Sequence, residues 1–204
     1  MKHSNRHRTV LTADAEQRLR RFEALLVRWN ARINLVSRAD CDQIWSRHIL
    51  DCAQLVALLP SPSGTLVDIG SGAGFPGLVL ALTTQWRVHL VESDQRKAAF
   101  LREAVRVTGT SACVHAVRVQ TLQMVPAQVV TARAVAPLAT LLGLALPILA
   151  ASGICLFPKG ESVEDELTAA ANEWHMQVER FPSQTCPSAT LLRISEIRRA
   201  GPVI

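Results

Sequence analysis

Four glycines fall within residues 70–77, in the run Asp68-Ile-Gly-Ser-Gly-Ala-Gly-Phe-Pro-Gly77, and this loop constrains the fold more than any other segment. The apolar stretch Thr65–Ile69 before it has the composition of a buried strand, and Gly77–Gln85 after it is helix material. Glycines between a strand and a helix let the backbone turn sharply and let a ligand approach the main chain closely. Gly72-Ala-Gly74-Phe-Pro-Gly77 also satisfies GxGxxG, so a nicotinamide or flavin dinucleotide is one candidate ligand.

Charge separates the candidates. A dinucleotide sets its anionic pyrophosphate at the helix amino terminus, and a carboxylate at Asp68 opposes that anion. S-adenosylmethionine carries no phosphate; it brings a sulfonium cation and an ammonium group, which an acid beside the loop suits. The loop is therefore expected to bind S-adenosylmethionine, with Asp68 and Gly72 among its contacts. Glu92 ends the next strand, twenty residues beyond Gly72. There a carboxylate can bridge both ribose hydroxyls of either cofactor, unless it is simply a solvated strand-end acid.

Beyond the loop, short apolar runs alternate with helix-length segments. Val88–Glu92, Ala112–His115, Gln128–Ala132 and Ile154–Phe157 read as further strands, and Arg96–Val107 as a helix. That alternation predicts an α/β fold, a doubly wound and mainly parallel sheet with helices on both faces. Upstream, Leu19, Phe22, Leu25, Leu26, Trp29 and Ile33 recur at helical steps across residues 13–32, with Thr12 as N-cap. A second helical pattern runs from Asp42 to Leu59, until Pro60-Ser-Pro-Ser-Gly64 stops it. The expected organisation is a helical element over residues 1–60 packed as one compact unit with an α/β domain over 61–204. Trp29, Trp45 and Phe22 are assigned to that packing rather than to base stacking.

Of the 204 residues, 49% are apolar, enough for a substantial core. The five cysteines are scattered without zinc-site spacing, so free thiols in a reducing cytosol and no metal are expected. Met1–Arg8 is basic with no apolar run behind it, which argues against a signal peptide. Ala134–Pro158 holds no charged residue and is long enough to span a bilayer. Pro137, Pro147 and Ser152-Gly153 break it, so it parses as a buried helix followed by a buried strand. Residues 1–60 hold ten Lys/Arg against six Asp/Glu, whereas the remainder hold twelve against eleven. The early excess attracts nucleic acid through its phosphates or is a solvated basic face.

A wider set of segments goes with the loop. They are Trp29-Asn-Ala-Arg-Ile-Asn-Leu35, His48-Ile-Leu-Asp51, Val91-Glu-Ser-Asp-Gln-Arg-Lys97, Thr131-Ala-Arg-Ala-Val-Ala136 and Pro158-Lys-Gly160. Together they resemble the RsmG (GidB) family, which methylates N7 of a guanine in 16S ribosomal RNA of the small subunit. The glycine loop is generic to class I methyltransferases; WNxRxNL and TARAVA are far more specific. The resemblance implies donor contacts at Gly70, Phe75, Val119, Gln120 and Arg133. Phe75 can lie against the apolar part of the donor, and Gln120 can accept from the adenine amino group. Arg133 can fix the donor carboxylate or hold the substrate strand. Relatives carry an acid at the position of Gln120, and many end in a basic, proline-containing tail. Here the sequence closes on Arg198-Arg-Ala-Gly-Pro-Val-Ile204, so part of such a grip on RNA is expected to be missing or replaced.

N7 of guanine has a lone pair and no proton to lose, so no general base is expected and catalysis rests on positioning. His48 and Asp51 share a helix face at i, i+3, as substrate contacts or as packed polar groups. Lys159, one of three lysines, follows a strand at the edge where ligands bind and is a candidate for RNA phosphate. Cys186-Pro187 lies too late in the chain for a cytosine-methylating nucleophile and is read as structural. Three other functions remain to be separated: a class I methyltransferase acting on a small molecule or protein, an NAD(P)-binding oxidoreductase, and an RNA-binding module with a vestigial cofactor loop.

Overall fold

The computed structural model describes residues 11–124 and 126–201. The basic segment Met1–Arg8, with His3 and His7, and the terminal Pro202–Ile204 lie outside the described residues.

Helix α1 (Ala13–Asn30) starts where expected, with the Thr12 hydroxyl accepting the N–H of Ala15 at 3.2 Å. Asp14 and Glu16 in its first turn and Arg28 in its last complement the helix dipole. Its stripe of Leu19, Phe22, Leu25 and Leu26 is fully buried.

The continuous helix expected from Asp42 to Leu59 is not formed. The chain instead runs through a 3-10 segment (Arg38–Gln43), a π-helical turn (Ile44–Ile49), the short helix α2 (Leu50–Ala53) and a second 3-10 segment (Gln54–Leu58). The reason lies in the spacing of the residues that reach the core. Ile44 and Ile49 are five apart, one π turn; Cys52 and Leu55 follow at steps of three, which suit tighter winding.

The sheet has seven strands in the order β3-β2-β1-β4-β5-β7-β6. Strands β1 (Thr65–Ile69), β2 (Arg87–Val91), β3 (Cys113–His115), β4 (Ala127–Ala132) and β5 (Leu149–Lys159) are parallel. Helices α3 (Gly77–Thr83) and α4 (Gln95–Thr108) connect β1 to β2 and β2 to β3; α5 (Leu138–Ala145) connects β4 to β5. The chain leaves β1 for β2 on one side and later returns with β4 on the other. The carboxyl end of β1 is therefore a switch point, where open α/β sheets bind ligands.

Three elements were not anticipated: α6 (Val163–Ala171) and the antiparallel pair β6 (Trp174–Pro182) and β7 (Thr190–Arg199). Strand β6 is an edge strand in which Trp174, Met176 and Val178 turn to the core and His175, Gln177 and Glu179 to solvent. Cys186-Pro187 sits in the connection between β6 and β7, remote from β4 in sequence.

Two apolar layers cover the sheet. One joins Phe22 and Leu26 of α1 to Leu66, Leu78, Leu90 and Phe100. The other joins Val67, Val130 and Phe157 to Leu138 and Leu141 of α5 and to Trp174. The uncharged stretch 134–158 becomes α5 followed by β5, and no helix among the described residues is long and apolar enough to cross a membrane.

Candidate active site

The glycine loop is held from beneath. The side chain of Asp68 is fully buried; one carboxylate oxygen accepts the Thr131 hydroxyl at 2.9 Å and the other accepts the N–H of Gly77 at 3.2 Å. A Cβ at Gly77 would lie 2.6 Å from Asp68 and from Leu90, so only glycine lets α3 start this close to β1. Burial pushes the Asp68 carboxyl up to about 6, against the hydrogen bonds that Thr131 and Gly77 give it. This corrects the expectation that Asp68 faces a cationic ligand. Its oxygens point into the protein and tie β1, β4 and α3 together, so the charge argument for the donor cannot rest on it.

Glu92 clamps the upper side of the loop. Its Oε2 accepts the N–H of Gly72 at 2.9 Å and its Oε1 the N–H of Asp94 at 2.8 Å. Each oxygen keeps a second lone pair for a ligand hydroxyl. Gly72 has φ +53° and nothing nearer than 3.7 Å to the position of a Cβ, so its face of the loop is open. Gly70, by contrast, is covered by Val135, 2.7 Å from where a Cβ would stand. The segment after β4 therefore crosses directly over the loop.

Phe75 is packed on three sides. It is 4% exposed, with the Phe22 ring at 5.5 Å edge-on, the His48 ring stacked at 5.2 Å and the Arg133 guanidinium 4.7 Å from its centre. The ring that the resemblance assigns to the donor thus also places Arg133 and His48. Val119 is buried and Gln120 exposed in a 3-10 turn after β3, whose last residue His115 accepts the N–H of Glu92 at 3.0 Å.

His48 lies in the π turn, and both its ring nitrogens are buried without a hydrogen-bond partner. Burial, aided by the Arg133 charge, lowers its pKa to about 4. The ring is therefore neutral near pH 7, and Asp40 at 3.8 Å is a neighbour rather than an ion-pair partner. Asp51 is also buried. Its Oδ1 accepts from Gln54 at 2.7 Å, from Ser183 at 2.9 Å and from Thr185, which fastens the β6–β7 connection to α2. Its Oδ2 takes no protein donor among the described residues.

A cleft of about 590 Å³ opens between the ends of β4 and β5, bounded by Asp51, Arg133, Val135, Lys159, Gly160 and Glu166. Lys159 does not extend into it as a free cation. Its side chain is 8% exposed and donates to Glu166 at 2.7 Å and to the carbonyl of Ala136 at 3.2 Å. The expectation of a phosphate-binding lysine is corrected accordingly: the charge is spent inside the protein, because burial requires a carboxylate partner. Glu166 was not singled out from the sequence. It lies seven residues from Lys159, across a turn into α6, and no short-range spacing predicts that the two meet.

The loop, Glu92 and the segment 133–137 thus surround an open glycine face beside a mainly apolar cleft with Asp51 and Arg133 in its wall. A profile described as rRNA small subunit methyltransferase G matches residues 15–191. "Ribosomal RNA small subunit methyltransferase G" of Rhodospirillum centenum is 58% identical over 184 residues, covering 90% of this chain and 85% of that protein. The protein of the same name from Granulibacter bethesdensis is 53% identical, covering 94% and 93%. Among solved structures, ribosomal protein L11 methylase of Lactobacillus delbrueckii subsp. bulgaricus superposes with a TM-score of 0.59 at 14% identity, covering 73% of this chain and 78% of that one. M. jannaschii TYW2 in complex with AdoMet gives 0.57 at 14% identity, covering 83% and 80%. At such identities these two likenesses concern the fold alone.

Proposed function

The chain belongs to the rRNA small subunit methyltransferase G family, and we propose that it transfers the methyl group of S-adenosylmethionine to N7 of a guanine in 16S ribosomal RNA, acting on the small subunit in the cytoplasm. The observation that carries this reading is the continuous match over residues 15–191, which takes in the glycine loop, Asp51, Arg133 and Lys159 together.

The residues present suit the donor. Gly72 leaves room for a ligand against the main chain, and Glu92 retains lone pairs for ribose hydroxyls. Val119 and Gln120 are assigned to the adenine, and Arg133 to the donor carboxylate or the RNA strand. When bound, S-adenosylmethionine supplies an electrophilic methyl carbon. The protein's work is then to align acceptor and donor and to exclude water.

Guanine N7 offers a lone pair on the major-groove edge. No proton leaves it on attack, so a neutral, partnerless His48 and an internally paired Lys159 are compatible with turnover. The cleft between β4 and β5 is assigned to the guanine. Asp51 Oδ2 is the acceptor in its wall that suits the N–H donors on the edge of the base opposite N7.

Incubation of the protein with labelled donor and small ribosomal subunits, followed by nucleoside mass spectrometry, tests this. 7-Methylguanosine at one position is expected. Label on another base or atom, or on small molecules or protein with none on RNA, would replace the acceptor. Binding of NADH without S-adenosylhomocysteine would replace the donor.

A further inference from the structure

A second concavity, of about 580 Å³, lies between the end of α1, the turn that follows it and the start of α4. Asn30, Arg32, Ile33, Asn34, Arg38 and Arg96 line it. Arg32 and Arg38 are exposed and have no carboxylate partner among the described residues. Arg96 is 77% exposed and reaches only Asp94, at 3.8 Å. By contrast Arg20, Arg106, Arg180 and Arg193 each spend their charge on a glutamate. No acidic side chain lines the groove.

The groove is preformed. Asn30 Oδ1 accepts the N–H groups of Leu35 and Val36, and its amide donates to the carbonyl of Val36 and to the Cys41 sulfur. One side chain thereby fixes the whole turn that carries Arg32 and leads into Arg38. Trp29 packs edge-on against Phe100 at 5.7 Å, one helical turn past Arg96, which brings the end of α1 to the start of α4. Helix α4 begins at the carboxyl edge of β2, three residues beyond Glu92. Three guanidinium groups therefore stand at the sheet edge where the donor loop opens, on the β2 side of it.

We infer that this groove binds the phosphodiester backbone of the substrate RNA, holding the strand that flanks the target nucleotide while the β4–β5 cleft takes the base. This rests on the RNA reading above. Guanidinium groups pair with phosphate oxygens through parallel N–H donors, and the exposed Asn34 amide suits sugar or phosphate oxygens. A groove of this kind grips without reading sequence.

Small-subunit ribosomal RNA and a single-stranded oligonucleotide are the probes, with Kd measured across a salt series. For the variant Arg32→Gln/Arg38→Gln/Arg96→Gln, the slope of log K against log salt should fall by about 2, since each single-strand phosphate contact contributes about 0.7. Its affinity should drop roughly tenfold or more on either RNA alike. Binding of S-adenosylhomocysteine should not change. Arg87→Gln/Arg106→Gln/Arg180→Gln, which removes the same charge elsewhere, should keep the wild-type slope. If the triple variant does not fold, each single replacement should take about 0.7 from the slope.

An unchanged slope in the groove variants overturns the inference, as does an equal loss in the control. Inorganic phosphate binding abolished by the triple variant with RNA binding intact also overturns it, leaving a small-anion site. A wild-type slope that falls in the variants, from a protein that methylates no ribosomal RNA, leaves the groove standing and removes the proposed acceptor.

Discussion

Lys159 and Glu166 meet at 2.7 Å, and the oxygen that joins them also takes the main-chain N–H of Leu138 at 2.7 Å. One carboxylate thus fixes the start of α5, the end of β5 and, through the lysine, the carbonyl of Ala136. The segment 133–137, which crosses over Gly70, is braced from behind by this pair.

The brace predicts an asymmetric response. Glu166→Gln leaves a lysine with 8% of its side chain exposed and no counter-charge, and should cost about 3 kcal/mol, as removal of one partner from a buried pair does. Lys159→Met leaves a carboxylate that Leu138 and Ser162 still serve, and should cost less. Urea unfolding of both variants measures the order. Lys159→Met should also keep the wild-type salt dependence of RNA binding; a reduced slope would return that lysine to the phosphate-binding set.

Asp68 predicts a stability change with pH. Its folded pKa, about 6, lies above the ordinary value of 3.8. A raised pKa contributes stability below the unfolded value that is lost as pH rises through the folded one. Relative to Asp68→Asn, the wild type should lose up to about 3 kcal/mol between pH 4 and pH 6.5, at about 1.4 kcal/mol per pH unit. Denaturant midpoints at matched pH values test this. A wild-type stability, relative to Asp68→Asn, that stays flat or rises with pH contradicts a buried carboxyl that ionises reluctantly.

The two ends of the loop should separate folding from binding. At Gly77 a methyl group meets Asp68 and Leu90 at 2.6 Å, so Gly77→Ala should destabilise by about 3 kcal/mol or prevent folding. At Gly72 the space is open, and Gly72→Ala should cost only about 1 kcal/mol, from its φ of +53°. Its methyl group projects into the donor cradle, so affinity for S-adenosylhomocysteine should fall at least tenfold. Thermal melts beside calorimetric titration distinguish the two. Undiminished affinity in a folded Gly72→Ala would place the donor elsewhere.

The loop, its flanking strands and α1 were legible because local signals and burial coincide there: strand, glycine turn and helix follow one another within twenty residues. The β6–β7 pair was not, although Trp174, Met176 and Val178 alternate with His175, Gln177 and Glu179, because the alternation is short and no glycine turn flanks it. The broken segment 38–58 misled because its apolar stripe fits a regular helix until the five-residue step from Ile44 to Ile49 is seen buried. The site shows the same division. Glycine positions and Glu92 follow from the motif, whereas the inward turn of Asp68, the ring stack on Phe75 and the Lys159–Glu166 pair depend on contacts between distant parts of the chain.

The protonation states in the site set the pH dependence of turnover. Burial and the Arg133 charge hold His48 at a pKa of about 4, so it carries no proton to gain or lose above pH 6. An acceptor nitrogen without a hydrogen needs no base. Log kcat on small subunits, measured under saturating donor and RNA, should therefore stay flat from about pH 6.5 to 9, rather than rise with unit slope through a histidine-like pKa. His48→Phe keeps an aromatic ring against Phe75 and should lower kcat less than tenfold without changing the shape of the profile. A wild-type limb of slope one near pH 6–7 that vanishes in His48→Phe would make this histidine a general base. The transferred methyl would then be going to an atom that has a proton to lose, such as an exocyclic amine, and not to N7.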